Sequence, residues 1–319
     1  MLVEITNPAN LSQFKLGDAV SFQGRADATV VRVELFAEQY LLSKIAVINN
    51  SWSVLYPFNR AGKRRIIVKG FDAANRQVAS DAIDILLVHS SSLGNPNASV
   101  LGIDVSNHNP PVNWQAVKNA NISFAFAKAT EGATFKDKTF TTNWSGMKAA
   151  GIMRGAYHFF RPARTAEEQV DNFLQVVKKV LEPGDLPPVL DVEPWPKEVG
   201  EAWKTLAFKD RINRIITWLE KVEQATGEKP IIYTSPSFWR EYMRDSQEFT
   251  DHPLWLAHYT SKPQPDVPAN NWGGNGYTIW QHTESGRVAG VSGPVDRNRF
   301  NGSFSKLVAL ASSERLGVA

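Results

Sequence analysis

A chain of 319 residues is longer than one ordinary domain needs, and 43% hydrophobic with 21% charged residues is the balance of a globular protein with a substantial core. No stretch approaches the roughly 18 uninterrupted apolar residues of a membrane span, and a net charge of +3, dispersed along the chain, is too mild for a nucleic-acid footprint. The absence of cysteine removes disulfides, thiolate metal sites and a cysteine nucleophile together.

The first ninety or so residues read as strands. In Val31-Arg32-Val33-Glu34-Leu35 apolar and polar residues alternate, as a half-buried strand requires, and Ile83, Ile85 and Leu87 repeat the pattern with Asp84 facing away. Between them lie Trp52 to Tyr56 and Arg65 to Val68, separated by turn-formers such as Asn49-Asn50-Ser51 and Asp72-Ala73-Ala74-Asn75. Short strands without a helix predict a small all-β sandwich over residues 1–92, with Trp52 in its core. Its spacing and the phrase GFDAANRQVASD resemble bacterial immunoglobulin-like modules. The run from His89 to Ala98 is small, polar and aperiodic, which puts a linker at 93–99 and a second domain at 100–319.

From Val100 the texture changes to strands alternating with helices. Strand Val100 to Val105 precedes a short helix from Trp114 to Ala120; strand Ser123 to Thr130, a helix ending at Gly151 and strand Arg154 to Phe160 follow. A helix then starts at Thr165, which has capping-box spacing with Glu168 and an apolar face of Val170, Phe173, Leu174, Val177 and Leu181. Next come strand Pro188 to Glu193, a helix from Phe208 to the stop at Gly227, and strands at Ile231 to Thr234, Leu254 to His258, Tyr277 to His282 and around Val295. About eight strands, the early ones separated by helices, predict an α/β fold closed as a (β/α) barrel rather than an open sheet.

Function in such a barrel sits at the carboxyl ends of the strands. Asp104 ends the first strand, Asp191 and Glu193 end the fourth, and Asp296 lies in the last strand-like segment. Residues two apart on a strand share a face, so Asp191 and Glu193 are expected to project into one pocket. Acids that share a pocket repel, so one keeps its proton near neutrality while the other stays ionised, which is the division of labour of glycoside hydrolysis. A lone strand-end aspartate is more often a helix cap or ion-pair partner; spacing alone therefore marks a candidate hydrolase site and no more.

The stretches LGIDVSNHNPPVNW, FAFAKATEG, GIMRGAYHFFRP, LPPVLDVEPW, PIIYTS, LWLAHY, YTIWQHT and GPVDRNRF, in that order, resemble the glycoside hydrolase family 25 lysozymes over nearly all of Val100 to Phe304. The resemblance implies a modified TIM-like barrel of five β/α units plus three less regular strands that cleaves the β-1,4 bond from N-acetylmuramic acid to N-acetylglucosamine. It implies Glu193 as general acid/base, Asp191 as nucleophile or as the group that orients the substrate's own N-acetyl, and Asp104 and Asp296 as completing an acidic ring, with net retention of configuration. Tyr157, Tyr259, Trp280 and Trp195 are the expected substrate contacts, and Lys128 and Glu131 an ion pair bracing the pocket. His158, adjacent to Tyr157, should face away and pack. The loop His108-Asn109-Pro110-Pro111 departs from the Gln-Gly common in the family, which bears on subsite preference.

No metal or other cofactor is expected, because the six histidines lack metal-ligand spacing and Gly273-Gly274-Asn275-Gly276 is no phosphate loop. The expected partner is bacterial peptidoglycan, with no nucleic acid and no membrane span. The alternatives are a carbohydrate-binding protein with an inactive barrel, or a hydrolase of another N-acetylhexosamine polymer such as chitin. The first domain is expected to act as spacer or as a docking piece for the cell wall or a larger assembly. MLVEITNPAN lacks the pattern of a secretory signal, so release by lysis, by a phage or tail-like particle or by injection is expected, or else trimming of the sequence.

Overall fold

The computed structural model describes residues 2–15, 19–58, 62–88, 100–182 and 184–311. The chain divides into two units, Met1–Asn95 and Pro96–Ala319; the linker expected at 93–99 lies outside the described residues.

In the first unit the described residues form β1 (Val3–Asn7), β2 (Ser12–Lys15), β3 (Ala19–Ala26), β4 (Arg32–Ala37), β5 (Tyr40–Ala46), β6 (Ser51–Pro57), β7 (Gly62–Phe71) and β8 (Gln77–Val88). One sheet has the order β1-β3-β6 and the other β2-β8-β7-β4-β5. Strict alternation drives this arrangement: Val20 and Phe22 on β3, Val33 and Leu35 on β4, Ile66 and Val68 on β7, and Ile85 and Leu87 on β8 are buried in one shared core. Trp52 lies in that core against Gly24, where an added Cβ would stand 2.3 Å from the indole, so this strand position admits only glycine. The sequence reading anticipated β4, β6, β7 and β8 but not β1, β2, β3 and β5.

The second unit runs β9 (Val100–Val105), α1 (Trp114–Asn119), β10 (Ile122–Glu131), β11 (Phe135–Lys136), α2 (Phe140–Ala149), β12 (Met153–Phe159), α3 (Ala166–Val177), β13 (Val189–Asp191), α4 (Lys197–Thr205), α5 (Phe208–Thr226), β14 (Ile231–Thr234), α6 (Pro236–Met243), β15 (Leu254–Ala257), α7 (Pro268–Gly273), β16 (Ile279–Gly286), β17 (Val295–Phe300) and α8 (Phe304–Leu310). Strands β9-β10-β12-β13-β14-β15-β16-β17 pair in that order and β17 returns to β9, closing an eight-stranded barrel. All its neighbours pair parallel except at β17, which is antiparallel to both β16 and β9. No helix separates β16 from β17, and a strand that returns directly can only pair antiparallel.

Local signals set the helices. The Thr165 and Glu168 capping box opens α3, Gly227 in the left-handed conformation ends α5, and Ser235 caps α6 ahead of Pro236 at its first position. The segment α7 is a left-handed turn, with φ between 52° and 54° at Ala269, Asn270, Asn271 and Trp272. Asp245 accepts from the Ala269 amide, and His252 O accepts from the Trp272 indole.

Two cores separate the faces of the barrel wall. Outward-facing Ala125, Ala127, Leu190, Val192, Ile232, Leu254 and Leu256 pack under the helices. Inside, Phe124, Phe126, Val189, Ile231, Trp255, Ile279 and Phe300 plug the amino-terminal end of the barrel. Following the inward file along each strand, apolar gives way to polar: Phe124, Phe126, Lys128 on β10; Val189, Asp191 on β13; Ile231, Tyr233 on β14; Ile279, Gln281 on β16. The same strands thus make a dry plug below and a polar floor above.

Candidate active site

A cleft of about 1460 Å³ opens at the carboxyl-terminal rim, with Asp104, Asp191, Glu193 and Asp296 on its wall. Asp191 is the last residue of β13 and Glu193 lies two further on, so the period of two aims both at one space. Asp296 reaches the same rim from the other direction: it stands near the start of antiparallel β17, directly opposite Asp104.

Burial pushes all four acids up. Glu193 rises from 4.5 to about 7, chiefly through desolvation, with Lys128 opposing and the Asp104 charge assisting. Asp191 moves well above the ordinary carboxylate range for the same first reason, reinforced by Glu193. Its Oδ1 is buried and has no hydrogen-bond partner among the described residues, which a protein interior rarely tolerates outside a functional site. Asp296 rises to about 9 through burial and the neighbouring Asp104 carboxylate. Burial also raises Asp104, against the pull of hydrogen bonds from Asn298, Gln281 and Asp296.

A cationic edge balances this ring. Lys128 Nζ is bound to Glu131 Oε2, and Arg161 Nε donates to Glu131 Oε1 at 2.7 Å. Burial works against a charge on Glu131, yet the two cations outweigh it and hold that carboxyl below the ordinary range. Lys128 also lies 4.8 Å from the centre of the Phe159 ring, on the strand position that pairs with Asp191. The expected brace is therefore a three-member cluster.

Tyr157 and Tyr259 line the cleft, and Trp195 stands on its edge, 71% exposed. Trp280 is a correction. It is 5% exposed, absent from the cleft wall, and spends its indole N–H on His258 O at 2.8 Å. Its neighbour Gln281 faces the cleft, and strand alternation sends Trp280 to the other side of the wall. His158 is buried, hydrogen-bonded to Thr130 and Gln169 and stacked on Trp218, and burial lowers its pKa to about 3. It is a neutral packing residue.

Sequence reasoning missed the uncharged hub of the site. Gln281 Oε1 accepts from the hydroxyls of Tyr233 at 2.9 Å and Tyr259 at 2.7 Å, while its Nε2 donates to Asp104 at 2.9 Å. Asn298 donates to the same Asp104 oxygen at 2.8 Å. Gln281 lies in YTIWQHT and Asn298 directly follows GPVDR, so the segments were noticed; amides in strands carry no pattern that marks them as central. In the departing loop, His108 lines the cleft and Ser106 accepts from its amide. Among the described residues no group of three or more histidines or acids is arranged to hold a metal ion.

Residues 103–291 match the family model of glycosyl hydrolases family 25. The chain is 39% identical to the Escherichia coli K12 protein YegX over 216 residues, 66% of this chain and 73% of that one. It is 37% identical to lysozyme M1 of Streptomyces globisporus over 223 residues, 68% of this chain and 72% of the relative. The solved bacterial lysozyme of Streptomyces coelicolor superposes with a TM-score of 0.62 at 37% identity, covering 68% of this chain and all of that one. The eight-stranded barrel, its rim of raised acids and the span of these matches converge on one assignment: the chain belongs to glycosyl hydrolase family 25.

Proposed function

We infer that the protein is a lysozyme that hydrolyses the β-1,4 bond between N-acetylmuramic acid and N-acetylglucosamine in peptidoglycan, acting on the cell wall outside the cytoplasm. The observation that carries the reading is Glu193: a carboxyl in an open cleft whose pKa, about 7, lets it give a proton near neutrality and take it back from water. Beside it, the unpartnered Oδ1 of Asp191 fits the N–H of the substrate's 2-acetamido group, which orients that group for attack on the anomeric carbon. Attack by the acetamido oxygen as Glu193 protonates the departing oxygen, followed by water from the opposite face that the leaving group has vacated, retains configuration. Asp104 and Asp296 complete the floor. Tyr157 and Tyr259 supply hydroxyls along the cleft, and Trp195, exposed on its edge, offers a stacking face for a sugar ring.

For the first unit, its two sheets around one core support an immunoglobulin-like module that spaces or docks the barrel. Exposed Tyr40, Leu41, Ile48 and Leu55 give it contact surface beyond what a simple tether needs.

Digestion of purified peptidoglycan, borohydride reduction and mass spectrometry test the assignment. Reduced muramic acid ends, formed by the wild type and absent with Glu193→Gln, are the expected result. Reduced glucosamine ends, free peptides or cleavage of chitin oligomers in preference to peptidoglycan would overturn it.

A further inference from the structure

The floor of the cleft contains a chain of hydrogen bonds whose direction is set by one group that can only donate. Trp255 is 2% exposed and stacked on Phe126 with ring centres 4.5 Å apart. Its indole N–H donates to Asn298 Oδ1 at 2.8 Å. An indole has no acceptor, so the carbonyl of Asn298 must face it and the NH2 must face Asp104, where it meets Oδ2 at 2.8 Å. Gln281 Nε2 reaches the same Oδ2 at 2.9 Å, while its carbonyl takes the two tyrosine hydroxyls. Two amide donors occupy Asp104 Oδ2, which therefore carries no proton.

Asp104 and Asp296 are direct partners across the β9 and β17 pair, which sets their carboxyls to share a hydrogen bond, and each shifts the titration of the other. A bond between two carboxyls needs one proton. Amide donors strengthen the anion they point at, and both point at Asp104; among the described residues no hydrogen bond except that with Asp104 is given to Asp296.

We propose that Trp255, Asn298 and Gln281 form a polarity lock that places the single proton of the Asp104 and Asp296 pair on Asp296, leaving Asp104 the resident anion of the cleft floor. Asn298 and Gln281 are then positioning residues that act through Asp104. The other groups facing the pair are Asp191 and Glu193 at the end of β13, Glu284 of β16, the phenols of Tyr157, Tyr233 and Tyr259, and Lys128, tied to Glu131. Burial presses both carboxyls toward the neutral form, so the pair keeps a proton and the amide donors at Asp104 decide which partner holds it.

The direct test is NMR of the full chain with aspartate labelled at Cγ, assigned through Asp104→Asn and Asp296→Asn, with no glycan present. It is therefore decided separately from the lysozyme assignment. At pH 6 the Asp104 signal is expected at the carboxylate position and the Asp296 signal at the carboxylic acid position. The acid position at Asp104, or the carboxylate position at both, would overturn the lock. Trp255→Phe keeps an aromatic ring beside Phe126 but, being smaller, removes the N–H together with part of the ring; it should draw the two signals together, and unchanged signals would refute the role of Asn298.

Turnover gives a second reading. Both variants should lose activity, but Asp296→Asn, which keeps a neutral donor toward Asp104, should lose less kcat than Asp104→Asn, which leaves two amide donors facing an amide and should lose about a hundredfold or more. The reverse order would overturn the assignment.

Discussion

Glu193→Gln separates what the cleft does for catalysis from what it costs the fold. The raised carboxyl means that the folded state tolerates the Glu193 charge poorly: from 4.5 to about 7, at about 1.4 kcal/mol per pKa unit, the ionised form is disfavoured by about 3 kcal/mol. The unfolded chain ionises above about 4.5 while the folded one holds its proton up to about 7, so this contribution lowers stability progressively across that window and levels off above it. Glutamine removes the penalty. Asp191 adjusts its own proton when the neighbouring charge disappears, so 3 kcal/mol is a ceiling. At about 2–4 °C per kcal/mol for a unit of this size, the variant should melt up to about 10 °C above wild type at pH 8 and at nearly the same temperature at pH 4. Turnover of peptidoglycan, followed by release of reducing ends, should fall by about a thousandfold. A melting gain that is equal at both pH values, or a loss at pH 8, would refute the claim that a buried charge at Glu193 is the cause.

The same group governs the rate. The alkaline limb of kcat/KM on soluble glycan fragments should carry an apparent pKa near 7, falling about tenfold per pH unit above it; a limb near the ordinary glutamate value would exclude Glu193 as the proton donor. The two tryptophans should separate cleanly. Trp195→Ala should raise KM by about five- to thirtyfold, from roughly 1–2 kcal/mol of lost apolar contact, without moving the melting temperature. Trp280→Ala, which empties a buried site, should cost about 3–5 kcal/mol of stability before any effect on binding is seen.

Much of the second unit was legible because its signals are local. The capping box at Thr165, the left-handed stop at Gly227 and the apolar strands are written in short windows, and Asp191 and Glu193 needed only the period of two. Ser235-Pro236 is an equally good helix start that went unread, and α6 with it. In the first unit β3 was obscured by Gly24, whose missing side chain interrupts the alternation, although the reason for it is the Trp52 ring. The orientation of Trp280 was not readable in isolation, because alternation says that Trp280 and Gln281 face opposite ways and not which one faces inward. The hub at Gln281 was hidden for a related reason: its partners Tyr233 and Asp104 come from two other strands and Tyr259 from the segment after a third, and only barrel closure brings them together.

Closure also sets the order in which the site comes into being. The strand that seals the barrel is the last of its eight in chain order among the described residues, it enters in the opposite sense to its neighbours, and it carries Asp296 and Asn298. A chain cut before Val295 would lack Asp296 and Asn298, and with them the wall beside Asp104 and one of its two amide donors. A cleft built this way is complete only when the last and first strands of the barrel have met, so the seam that closes the fold and the Asp104 and Asp296 pair are one place.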